Sequence, residues 1–170
     1  MSLQSDSTPS HRQLAGFWVL TVAAVALHNT EEWLLRLTEW IADHPWMPGR
    51  ALHGDQTQYG LALIIVTAAV LAIAIVAVTR RTRWSSEVLA CMAYALIINA
   101  TSHLLLSVAT WDLMPGTISG TLLLAPLGLI IIHTLPPVPW SVSSAVTIAL
   151  AAIGIVIGSL LLAAALTALV

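Results

Sequence analysis

The chain has 170 residues, 58% of them hydrophobic and only 8% charged, with a formal net charge of −2 and a mean hydropathy of +0.91. A soluble domain carries about 25% charged residues, so this chain cannot coat itself against water, and lipid must be its main solvent. Six Arg with no Lys exclude a basic nucleic-acid-binding face, and the single cysteine, Cys91, excludes an intrachain disulfide and a cysteine-based zinc site.

Residues 1–13 read as a disordered polar tail, and residues 14–170 as a single transmembrane helical domain. Five apolar segments follow, each near the about 20 residues that cross about 30 Å of hydrocarbon. They run from about Leu14 to Leu37, Gly60 to Val78, Val88 to Thr110, Ile118 to Leu135, and Val142 to Val170. Pro45, Pro48 and Gly49, then Pro115-Gly116, then Pro136-Pro137-Val138-Pro139 punctuate the connections. Arg80-Arg81-Thr82-Arg83 joins the second and third segments, so the positive-inside rule places that loop and the N-terminus on the cytoplasmic side. Trp33, Trp40, Trp46, Trp84, Trp111 and Trp140 fall near segment ends, where interfacial belts place Trp. The expected fold is an all-α, polytopic transmembrane bundle of about five spans, with its N-terminus cytoplasmic.

His28-Asn29-Thr30-Glu31-Glu32 ends the first segment. On a helix His28 and Glu32 are i,i+4, and Glu31 lies to the other side of His28, so all three can address one small volume. His28 is 14 residues past Leu14, and His103 is 15 past Val88. Both segments run outward, so both histidines lie about 21–23 Å into the membrane, in its outer half. Cys91, Ala95, Asn99, His103 and Ser107 recur every four residues as a small or polar stripe, the kind that lets membrane helices approach and hydrogen-bond. The expectation is that this stripe packs on the His28/Glu32 face. Asp55, Gln56, Gln58, Tyr59, Asp112 and the Pro115-Gly116 turn reach the same outer level. His53 and Asp55 read as solvated loop residues, His44 as a surface residue, and Tyr94 and Cys91 as packing, while His133 sits at the opposite end of its span.

Ionisable groups within a bilayer are costly and mark functional sites. A hydrogen-bonded latch between two helices needs one pair; His28, Glu31, Glu32, Asn99 and His103 at one depth exceed that.

Three blocks, His28-Asn-Thr-Glu31-Glu32, Asn99-Ala-Thr-Ser-His103 and Met114-Pro115-Gly116-Thr117, occur in order over roughly residues 20–135. In this the chain resembles the HXXEE-motif family of small bacterial membrane proteins. Leu113-Met114 stands where that family usually has Tyr or a similar residue before Pro-Gly. The resemblance implies that the same residues matter and fixes no activity.

Two enzyme chemistries on a lipophilic substrate fit these residues. In one, His28, Glu32 and His103 hold zinc or iron, with Glu31 as a fourth ligand or base and Asn99 orienting a ligand or donating to a developing oxyanion. Such a centre activates water for ester or amide hydrolysis. In the other, Glu31 and Glu32 share a proton in low dielectric and act without metal as acid and base, as an isomerase or terpene cyclase would. Metal-assisted hydrolysis is the preferred expectation. A proton-coupled transporter or ligand-binding protein is the alternative, but nothing polar continues along the second or fourth segment. Ala151, Ala152, Gly154, Gly158, Ser159 and Ala163 make the last segment suited to close packing, within one chain or in a homo-oligomer.

Overall fold

The computed structural model describes residues 10–47, 50–80, 84–136 and 142–169. These form α1 (His11–Leu34), α2 (Leu37–Asp43), α3 (Arg50–His53), α4 (Gln56–Thr79), α5 (Ser85–Thr110), α6 (Thr117–Ser119), a π-helical turn (Gly120–Leu124), α7 (Ala125–Thr134) and α8 (Val142–Thr167), with no strand among the described residues. Four helical stretches are long and apolar enough to cross a membrane: Gln56–Thr79, Ser85–Thr110, Thr117–Thr134 and Ala149–Thr167. The first expected span, α1, is as long as α4, at 24 residues. It falls outside that set because its last turns carry His28, Asn29, Glu31 and Glu32.

Local signals set the helix ends. Ser10 caps α1 by accepting from the Gln13 N–H at 3.2 Å, so the helix begins at His11 and residues 11–13 are helical rather than tail. Asp55 caps α4 by accepting from the N–H groups of Thr57 and Gln58. Arg36 and Trp111 adopt left-handed conformations, with φ of 56° and 54°, and these stop α1 and α5 from running on. The Arg81–Arg83 loop, Trp140 and residues 1–9 lie outside the described residues, and so does the orientation read from that loop.

Helices α1 and α4 pair antiparallel. His11 Nε2 lies 3.0 Å from the Val78 carbonyl at one end, and Gln56 Nε2 donates to the Trp33 carbonyl at 2.6 Å at the other. Helix α5 packs on the rod formed by α6, the π-helical turn and α7, and α8 packs on α4. Three apolar layers fill the bundle. Trp18, Ala77, Leu89, Ala93 and Ile131 form one end. Ala24, Val25, Leu96, Ala100 and Leu124 form the middle. Leu37, Trp40, Ile41, Tyr59, Met114 and Ala163 form the other end, where α2 folds back over the bundle. Trp40 is thus buried at 6% exposure and stacked on His44, not an interfacial anchor. Large residues such as Ile64, Ile98, Leu105, Leu150 and Leu161 stay exposed, as helices bathed in lipid require.

Candidate metal centre

The last turns of α1 carry His28 and Glu32 one turn apart on its inward face, and α5 brings His103 against them. All three are buried, with 2%, 5% and 5% of their surface exposed. Glu32 Oε1 lies 3.2 Å from His28 Nε2 and 3.2 Å from His103 Nε2. The imidazole centroids are 5.0 Å apart, edge to face at 72°. One ligand atom from each residue lies within 4.8 Å of the other two. The shared depth expected from helix rise therefore becomes real contact between these side chains.

Each of the three is gripped on its far side. The Tyr59 hydroxyl donates to Glu32 Oε2 at 2.6 Å. His28 Nδ1 lies 3.0 Å from Ser119 Oγ, and His103 Nδ1 lies 2.8 Å from the Pro115 carbonyl oxygen. A carbonyl only accepts, so His103 Nδ1 carries a proton and Nε2 is the ring atom turned toward Glu32. His28 Nε2 is close to Glu32 Oε1 yet makes no hydrogen bond, because the oxygen is off the direction a ring N–H would take. Two ring nitrogens and a carboxylate oxygen therefore meet inside the bundle without a well-aligned hydrogen bond at His28 Nε2. Holding a ligand's second polar atom with a neighbour is how metal sites fix tautomer and orientation.

The segment from Met114 to Ser119 closes the group. Gly116 has φ +93°, and a Cβ there would sit 2.7 Å from His103 Nδ1 and 2.8 Å from His28 Cε1. Only glycine lets the backbone lie directly on both rings. Ser107 Oγ meets Thr117 Oγ1 at 2.8 Å and accepts from the Met114 N–H at 2.9 Å, pinning this turn to α5.

Two residues expected in the group stand elsewhere. Glu31 Oε1 accepts from the Gly116 and Ile118 N–H groups at 3.1 and 3.2 Å, and Oε2 from the Ser119 N–H at 2.7 Å. Both oxygens are thus spent on the first turn of α6, and Glu31 braces that turn instead of joining the His28, Glu32 and His103 group. Asn99 is exposed, and besides the helix's own backbone bonds its carbonyl accepts from Ser102 Oγ at 2.7 Å. The four-residue stripe fails for a geometric reason: each step of four turns 400°, so the stripe drifts 40° per step. The face that is buried follows Leu89, Ala93, Leu96, Ala100 and His103 instead.

Tyr59, Ser119 and the Pro115 carbonyl were not among the expected site residues. Tyr59 and Pro115 stood at the right depth in the sequence, but nothing there said which way they faced. His53 has its ring 5.5 Å from that of Tyr59, Asp55 is the cap of α4, and His133 is exposed far from the group.

A family model described as "Protein of unknown function with HXXEE motif" matches residues 18–131. The searches of curated proteins and of solved structures returned no match.

Proposed function

This chain belongs to the HXXEE-motif family, and on that premise we propose that it is a membrane enzyme that binds a divalent metal ion through His28, Glu32 and His103 and acts on a lipophilic substrate. The observation that carries the reading is the buried meeting of His28 Nε2, His103 Nε2 and Glu32 Oε1, all within 4.8 Å of one another and each residue held on its far side. A buried carboxylate beside two imidazoles needs a compensating positive charge, and a metal cation would supply it. Two imidazoles and one carboxylate suit zinc, or non-haem iron where positions stay open. A bound ion would supply Lewis-acid chemistry to a carbonyl or phosphoryl oxygen. In this chain Tyr59 would hold the carboxylate to one oxygen, Ser119 and Pro115 would hold the tautomers, and the Gly116 turn would exclude water.

The metal-free pairing of Glu31 with Glu32 has less support, since three backbone N–H groups already occupy Glu31 and it is not within the histidine cluster. Transport has less support too, because Trp18, Leu89 and Ile131 are fully buried and close the bundle below the cluster. The equal length of α1 and α4 and their end-to-end pairing support α1 as a fifth span. In the proposed arrangement the N-terminus is cytoplasmic, the protein lies in a bacterial inner membrane, and the site occupies the outer half of the bilayer.

The test is elemental analysis of detergent-purified protein, with parallel lipid mass spectrometry after incubation with a total lipid extract. The expected result is one divalent ion per chain, lost in His28→Ala and His103→Gln variants of unchanged helicity, with one lipid class consumed by the loaded protein alone. Protein that binds no divalent ion on reloading refutes the metal reading. A loaded protein that changes no lipid refutes the enzyme reading.

A further inference from the structure

On the other side of α1 from the metal centre, a groove of about 860 Å3 runs between α1 and α4. Ala26, Asn29, Thr30 and Trp33 form one wall, and α4 from Gln56 to Leu71 forms the other. No ionisable side chain lines it. Its Gln56/Thr57 end is polar, and the stretch past Leu63, through Ile64, Ala68 and Leu71, is apolar. A pocket of this size falls within the about 300–1,000 Å3 of small-ligand sites.

Two polar atoms in this groove are left over. Asn29 Nδ2 donates to Thr67 Oγ1 at 2.8 Å and to the Leu63 carbonyl at 3.3 Å, but Asn29 Oδ1 accepts nothing among the described residues. The Trp33 indole rests on Gly60, where a Cβ would come within 2.7 Å of Nε1, and that N–H likewise has no partner among the described residues. Asn29 and Trp33 are i,i+4, so the free acceptor and the free donor are neighbours on one face of α1. A hydrocarbon chain satisfies neither, and both lie near the end of α1, at the level where lipid polar heads sit. A hydroxyl both donates and accepts, and so matches this pair, while the absence of a cationic side chain offers nothing to an acid or a phosphate.

We propose that the α1–α4 groove binds an uncharged long-chain lipid alcohol, with its hydroxyl between Asn29 and Trp33 and its chain along Ile64, Ala68 and Leu71. This site is separate from the metal centre, and occupancy of one does not require the other. The probe is a photoactivatable hexadecanol added to the full chain in lipid nanodiscs, beside the matched alkane and the matched fatty acid, with labelled peptides mapped by mass spectrometry.

The alcohol is expected to label segments 26–33 and 56–71 more than the alkane or the acid, and equally with and without chelator. Asn29→Leu should weaken labelling about fivefold, the weight of one net hydrogen bond. Ala68→Phe, which fills the apolar half and leaves the Asn29–Thr67 tie in place, should abolish it. Equal labelling by alcohol and alkane would show ordinary surrounding lipid and overturn the proposal. So would labelling spread over α5 and α8, unchanged labelling in Ala68→Phe, or cross-links through the groove to a second copy of the chain. Chelator sensitivity would overturn only the independence of the two sites.

Discussion

The two ends of the inward face of α1 are held by different forces. At the Trp18 end, Trp18, Leu89 and Ile131 are fully buried, and Trp18 Nε1–H donates to Ser85 Oγ at 3.0 Å. At the Glu32 end, imidazoles, carboxylates, a phenol and backbone groups replace the apolar filling. Packed volume keeps helices together without asking for particular atoms. A polar network fixes particular atoms and leaves little apolar area to bury. One helix is thus held by packed volume at one end and by a polar network at the other, so a perturbation can be assigned by which property it moves.

Three variants test that division, in order of expected effect. Trp18→Ala should cost about 3–5 kcal/mol of unfolding free energy in micelles, as large core truncations do, and the surviving folded fraction should still load metal. Loss of metal from that folded fraction would show that the two ends are one unit. Glu31→Gln should cost about 1.5–3 kcal/mol, since three N–H groups lose a charged acceptor, with a smaller change in metal affinity. Metal loss as complete as in His103→Gln would return Glu31 to the ligand set. Tyr59→Phe should lower metal affinity about 10- to 100-fold, the range for groups that orient a ligand, while shifting the thermal midpoint little. Isothermal titration with zinc reads the affinity, and an unchanged value would reduce Tyr59 to packing.

Much of this was legible in the sequence, because a membrane helix has a known rise and a known starting level. His28 and Glu32 share a face by their spacing, and His103 reaches their level by counting residues from the other side of a loop. Counting fixes height and not azimuth. Asn99 was therefore placed on the site by a stripe that drifts off the packed face. Glu31 could not be told from Glu32, because its fate depends on N–H groups 85 to 88 residues away. Tyr59 and Ser119 are the same case: each has the right level, and only the packing of α4 and α6 decides that it faces inward. The start of α1 at His11 was signalled locally by the Ser10 cap.

The π-helical turn at Gly120–Leu124 gives the rod after α5 two uses. Ser119 and Leu124 are both buried although five residues separate them, and in an unbroken α-helix that step would set them about 140° apart. The wider turn absorbs one extra residue and brings the segment that touches His28 into line with the stripe of Leu124, Gly128 and Ile131 that packs into the bundle. A chain shortened by one residue here would keep a continuous apolar span, yet Ser119 would swing away from the imidazole it holds. In that sense the reach of Ser119 to His28 depends on the length of this rod as much as on its side chains.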